Sequence, residues 1–216
     1  MQKKLLVMPV VLLLFACTVN AQLVKSYGFK VAVTSAFQKF DYSPLGGISN
    51  SDIPWKRKTC INAGLFIEWL NLPIVSVITQ LDYRQVGVGA PVGFYDTVGN
   101  ILSSSILYGK VNYISMPLLL KAELPTTIVC PYLLLGSRID HLISYSSDRD
   151  FWSPVYKQFE KTVYGGTFGI GLETKHILPV TVILEFRYNM DFTDSYSDEY
   201  LKIKNNSYDF CLGIGF

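Results

Sequence analysis

The sequence predicts an all-β chain, an eight-stranded antiparallel up-and-down transmembrane β-barrel of the outer-membrane type. Three observations carry this. First, along Asn206–Phe216 the residues Tyr208, Phe210, Leu212, Ile214 and Phe216 alternate with Ser207, Asp209, Cys211, Gly213 and Gly215. Successive strand side chains point to opposite faces, so one face is apolar and the other small or polar. Second, mean hydropathy is positive, yet after the N-terminal segment no run reaches the ~18 uninterrupted apolar residues of a membrane helix. The apolar residues lie instead on alternate positions, as membrane strands require. Third, the connections alternate between short and long, the pattern of periplasmic turns and extracellular loops.

The elements follow in order. Residues 1–21 read as a signal peptide: Lys3 and Lys4 precede the apolar run Leu5–Ala16, which Pro9 interrupts, and Val19-Asn20-Ala21 suits cleavage before Gln22. A competing reading places a lipoprotein-type cysteine at Cys17, which Phe15 fits poorly. Residues 22–216 form one barrel domain. Strands are expected near 24–37, 58–70, 74–88, 110–123, 129–142, 164–173, 179–190 and 206–216. Three periplasmic turns lie at 71–73, 125–128 and 174–179, and four long loops at about 38–57, 89–109, 143–163 and 191–205. Leu-Pro recurs at Leu72-Pro73, Leu124-Pro125 and Leu178-Pro179, where a strand start need not donate a ladder hydrogen bond. An even strand count puts both ends of the barrel chain on the periplasmic side.

Parity then assigns the faces. Phe29, Val31, Val33, Leu65, Ile67, Leu81, Met116, Leu118, Leu120, Leu133, Leu135, Phe168, Ile170, Leu184 and Phe186 face lipid. Trp69, Tyr83, Tyr188, Tyr208 and Phe216 fall near strand ends, where aromatic girdles lie. The other parity holds Lys30, Glu68, Asp82, Arg84, Lys121, Glu123, Arg138, Asp140, Glu173, Glu185, Arg187 and Asp209. A single Arg or Lys facing lipid at mid-depth costs about 2–4 kcal/mol, so this segregation argues for a membrane wall with a charged interior. A soluble lipocalin-like barrel would invert the faces. The terminal aromatic, the loop asymmetry and the glycines on the charged parity argue against it.

Eight strands leave an interior that side chains fill. Arg84, Arg138 and Arg187 each have an acid two residues away on the same face, so an interior ion-pair network is expected, either as a solid polar plug or as a narrow ion path. The two histidines offer little for catalysis. His176 lies in a periplasmic turn, and His141 points away from its neighbour Asp140, with Ser144 also near in sequence. No enzyme activity, metal or cofactor is expected. Asp191, Asp194, Asp198 and Glu199 read as a solvated acidic loop, not a calcium site. Cys60, Cys130 and Cys211 are expected to stay unpaired, because Cys60 and Cys211 flank the first strand on opposite sides. A net charge of +2 and the lack of a basic stripe give no argument for a nucleic-acid partner, and none is expected. Recognition is expected in the long loops, at Trp55, Arg57, Arg149, Trp152 and Tyr156, residue types that concentrate in binding hot spots. The alternative is that these aromatics pack the loops onto the barrel rim. The expected surroundings are outer-membrane lipid and lipopolysaccharide.

The stretch Tyr113-Ile114-Ser115-Met116-Pro117-Leu118-Leu119-Leu120-Lys121, followed by Pro131-Tyr132-Leu133-Leu134-Leu135-Gly136, resembles two consecutive strands of the PorT-family barrels of Bacteroidetes. The resemblance is sharpest over 113–136. It implies an integral protein of the cell outer membrane. Phe210, Leu212, Ile214 and Phe216 would then form the C-terminal signal read by the barrel-insertion machinery. It also implies a non-enzymatic structural or interaction role, with secretion-system proteins as partners if the chain follows the family's namesake. The other classes open to small barrels are a lipid-modifying enzyme and a narrow channel.

Overall fold

The computed structural model describes residues 23–42, 55–70, 72, 74–95, 101–174 and 180–216. The segment 1–21, Cys17, Pro73, His176 and Leu178-Pro179 lie outside the described residues. Among the described residues there are nine strands: β1 (Val24–Tyr42), β2 (Lys56–Trp69), β3 (Val75–Tyr95), β4 (Ile101–Glu123), β5 (Val129–Ser147), β6 (Thr162–Thr174), β7 (Thr181–Asp191), β8 (Tyr196–Ser197) and β9 (Leu201–Gly215). Each strand from β1 to β6 pairs antiparallel with the next, β7 pairs with β9, and β9 pairs back onto β1. The wall is therefore a closed ring of eight strands, and β8 is a short addition to the outer end of β9. Closure leaves the wall with no open edge, which is the condition for strands to cross hydrocarbon.

The closing seam runs from Gly28–Gly215 to Tyr42–Leu201. Below it, Tyr27 and Phe216 exchange both backbone N–H···O bonds, and their rings lie 6.1 Å apart. The outward parity is apolar and exposed around the whole wall: Phe29, Val31 and Val33 on β1, Leu65 and Ile67 on β2, Leu81 on β3, Met116, Leu118 and Leu120 on β4, Leu133 and Leu135 on β5, Phe168 and Ile170 on β6, Phe186 on β7, Phe210 and Leu212 on β9. No aqueous protein keeps a continuous belt of this extent uncovered. The chain is an integral membrane barrel.

Two expectations are corrected. The strands continue past their expected outer ends, and the second long loop is mostly a hairpin, since β3 reaches Tyr95 and β4 begins at Ile101. The run Val88-Gly-Ala-Pro-Val-Gly reads as loop because of its Gly and Pro content, but Ala90–Val92 stay in register with Ser105–Leu107. Beyond Gly89 and Gly109 neither strand has another ladder partner among the described residues, so the hairpin extends ~20 Å past its neighbours. The interior is also less polar than expected. Phe66, Ile78, Leu119, Tyr132, Leu134 and Ile183 form a buried cluster inside the wall. Runs such as Leu118–Leu120 and Tyr132–Leu135 are apolar on both faces, which hides the inner one.

The wall gives a direct test. Leu212 lies midway between the outward rings of Tyr208 and Phe216 and is half exposed. Leu212→Arg should destabilise the barrel by about 2–4 kcal/mol in guanidinium titrations in lipid vesicles, whereas a cost near zero would mean that this face is not in hydrocarbon.

Candidate functional site

The charged residues assemble into tiers inside the barrel. Eleven of the twelve, all but Asp82, are buried, and Asp82 is partly buried. At the short-turn end Lys25 reaches Glu123 at 2.7 Å and Glu68 at 2.9 Å, while Lys121 lies between Glu68 at 3.2 Å, Glu123 at 3.4 Å and Glu173. Ser76 donates to Glu68 at 2.6 Å. Lys25 belongs to the outward parity in the sequence. A register shift between Val24 and Ser26 turns it inward, and no alternation pattern reveals that.

Higher up, Glu185 is the shared acceptor. Lys30 Nζ and the Tyr132 hydroxyl each donate to Oε1 at 2.6 Å, and Arg187 Nε donates to Oε2 at 2.7 Å. Arg187 Nη1 also donates to Gln80 at 2.8 Å. The next tier is organised by Asp140, whose Oδ2 accepts from Arg84 Nη1 and Arg138 Nε, both at 2.9 Å. Arg138 donates further to the Gly166 carbonyl at 2.8 Å and to Asp191. Asp209 accepts from Asn189 at 2.8 Å. Arg84 is thus bonded past β4 to Asp140 on β5, not to Asp82 two residues away on its own strand. Asp191 is likewise no loop acid. β7 extends to it, and its Oδ2 accepts from Ser195 and from the Asn205 backbone N–H at 3.1 and 3.0 Å.

Glycines make room for this crowd. A Cβ at Gly165 would lie 2.7 Å from Arg138 Cζ, and one at Gly171 would lie 2.3 Å from the Tyr132 ring. Between the tiers is a cavity of about 40 Å³, lined by Lys30, Asn62, Gln80, Asp82, Arg84 and Asp209 among others. Its polar walls and size suit a few ordered waters, to which Arg84 Nε and Nη2 and Gln80 Nε2, lacking a protein acceptor, are able to donate.

The outer end is closed by aromatic packing. After a 3₁₀ turn at Asp148–Asp150, α1 (Ser153–Tyr156) forms one helical turn with Pro154 in its first positions, where a missing N–H costs nothing. It lowers Trp152, Tyr156 and Phe159 into the barrel mouth beside Phe40, Val86, Val88, Val111 and Ile203. Trp55 stacks on Phe40 at 4.2 Å, and Trp152 on Tyr156 at 5.8 Å. Trp152 Nε1 donates to the Leu107 carbonyl at 3.0 Å. Burial pushes the Tyr156 phenol up, so it remains a neutral donor, to Gln38 at 3.3 Å. Trp152 and Tyr156, expected to display themselves for recognition, are therefore buried. Their apolar area is worth more against the barrel mouth than in water. Trp55 is partly buried in the same cluster, Arg149 is exposed in a left-handed turn at φ 49°, and Arg57 is exposed on the outer wall.

The remaining candidates stay apart. His141 is exposed on the outer face with Nδ1 3.3 Å from Thr162 Oγ1, while Asp140 points inward to the arginines. Ser144 accepts from Asn112 at 2.8 Å. Cys60, Cys130 and Cys211 are free and buried. Asp198 is outside the wall, where hydrogen bonds from the Tyr196 hydroxyl and from the Tyr200 and Leu201 backbone N–H groups hold its carboxyl below the usual range. No group of His, Cys, Asp and Glu suited to a metal occurs among the described residues.

No family profile matches the sequence, and no curated protein is detectably similar to it. Solved structures do match in fold. The outer membrane protein OprG from Pseudomonas aeruginosa aligns over 90% of this chain and 97% of its own, with a TM-score of 0.53 and 10% identity. The outer membrane protein AlkL in lipid bilayers aligns over 88% and 89%, with a TM-score of 0.49 and 12% identity. Outer membrane protein W of Escherichia coli aligns over 88% and 96%, with a TM-score of 0.43 and 15% identity. The chain thus has the fold of a small outer-membrane β-barrel.

Asp140 sets the next prediction. Asp140→Asn should cost about 3–5 kcal/mol, because two buried guanidinium groups lose their shared carboxylate. Guanidinium unfolding of the vesicle-embedded barrel measures it, and a loss below ~1 kcal/mol would show that the tier contributes little to stability.

Proposed function

We propose that this protein is a non-enzymatic interaction barrel of the outer membrane, acting through its outer end. Its resemblance to PorT-family barrels over 113–136 suggests a partner from a protein secretion apparatus. The observation that carries the reading is the projecting β3–β4 hairpin. The β4 segment Ile101–Ile106 is paired on one side only among the described residues, and its sequence Ile-Leu-Ser-Ser-Ser-Ile holds neither a charge nor a proline. Charges and prolines are what usually protect an unpaired edge from strand addition. On β3 the corresponding stretch contains Pro91. The β4 edge therefore suits a partner that adds an extended segment by main-chain hydrogen bonding. The sealed mouth supports the same reading, because transport through the barrel would require Trp152 and Tyr156 to leave a buried aromatic cluster.

The experiment is a pull-down from mildly solubilised native membrane with an affinity tag inserted after Asn50. A near-stoichiometric partner should appear, and it should be lost when Pro91 and Ile106, which face each other in the ladder, are joined by a two-residue turn that keeps the Leu107 carbonyl in place for Trp152. The shortened barrel should fold normally. A barrel that emerges alone, or a partner retained without the hairpin, contradicts the proposal. Discrete conductance of the wild-type barrel in planar bilayers would favour the narrow channel instead.

A further inference from the structure

A second surface lies on the outer wall of β1, β2 and β9, below the base of the hairpin. The outward rings of Phe37 and Tyr208 lie 5.9 Å apart, and Tyr208 continues to Tyr188 at 5.0 Å and Phe186 at 6.0 Å. This is the outer aromatic girdle of the seam, and aromatics of this kind settle at headgroup level. Arg57 spans the two rings at its centre, with its guanidinium carbon 4.7 Å from the Phe37 centroid and 5.1 Å from that of Tyr208. The pair Ala36–Lys58 sets Arg57 beside Phe37. One step further out, Lys39 and Lys204 face each other directly across the seam, and Lys202 follows opposite Asp41.

Two lysines directly opposite on one face repel. The carboxylates close to them are loosely placed: Asp41 is 3.4 Å from Lys39 and Asp194 is 3.7 Å from Lys204, with the side chains of Lys39 and Lys204 60% and 33% exposed. Exposed pairs of this sort neutralise little. Among the described residues no carboxylate pairs with Arg57, and the stacked rings hold its planar fork at the membrane boundary. Three to four cations thus gather just above the hydrocarbon, beside the rings of Phe37 and Tyr208.

We propose that Arg57, Lys39 and Lys204 form a binding site for the phosphate of an anionic lipid in the outer leaflet, with Lys202 at its margin. The guanidinium offers two parallel N–H donors to phosphate oxygens, and the lysines act as point charges. The lipid chains run down the apolar furrow past Val33, Phe210 and Leu212, all exposed. A phosphate between Lys39 and Lys204 would replace their repulsion with attraction to a shared anion. The site is independent of the partner-binding role of the hairpin.

The test uses the whole barrel in a non-ionic detergent, with diphosphoryl lipid A as the probe and native mass spectrometry as the readout. The wild type should retain the lipid. Arg57→Gln with Lys204→Gln should lower retention by about tenfold, and Arg57→Lys should fall between the two. Unchanged heat-modifiable mobility on gels establishes that each variant is folded. Fully dephosphorylated lipid A should be retained no better by the wild type than by the double variant. Equal retention of diphosphoryl lipid A by the folded double variant overturns the proposal, as does equal retention of the dephosphorylated lipid. Displacement by millimolar inorganic phosphate would also overturn it, by marking a site for free phosphate instead of a lipid.

Discussion

Hydrocarbon cannot solvate an ion or a free backbone N–H, and nearly everything in this barrel follows from that. The backbone satisfies itself by closing β9 onto β1. The side chains satisfy themselves by sorting: within the lipid-facing belt the large exposed residues are chiefly Phe, Val, Leu, Ile and Met, while charges turn inward. Proline at strand starts and glycine on the inner face fit the same frame, the first because it needs no donor and the second because the inside is full.

Turning every charge inward creates a second problem, since an interior of eight strands is narrow. It is met by sharing acceptors. Glu185 serves Lys30, Arg187 and Tyr132, and Asp140 serves Arg84 and Arg138. Glu185 on β7 ties β1 to β5, and Asp140 on β5 ties in β3. The network acts as cross-bracing and explains how long, polar side chains can replace an ordinary apolar core. Between the charged tiers, Phe66, Tyr132 and their neighbours contribute apolar packing, and cations rest on ring faces, Lys30 on Phe66 and Lys121 on Tyr132, each at 4.6 Å.

Above the membrane the rules change because water is available. The wall there becomes a mouth closed by Trp152, Tyr156 and Phe159 from a short helical turn, and β3 and β4 leave the ring as a hairpin. Rigid wall, sealed mouth and projecting strands divide the molecule into a part that anchors and a part free to meet other molecules. The basic residues around Phe37 and Tyr208 mark the boundary between the two.

The strand count, the order of short and long connections and the two faces of the wall were legible in the sequence, because a period of two is imposed locally by the backbone at each residue. So was the set of interior charges. Their pairing was not: that Arg84 meets Asp140 instead of Asp82 depends on how the inward side chains of β3 and β5 reach past β4 inside the ring. Lys25 was hidden by a local shift of register, Asp191 by a strand that ran further than its turn-like residues suggested, and the inner apolar cluster by runs that are apolar on both faces. The aromatic residues of the third loop looked ready for recognition, yet only the tertiary fold set Trp152 and Tyr156 over an apolar mouth that buries them. By itself the sequence determined which side of the wall most strand residues take, because alternation is a local property of the backbone. The closed ring decided which residues meet across it, since contacts over a barrel come from curvature and depth that no stretch of chain contains.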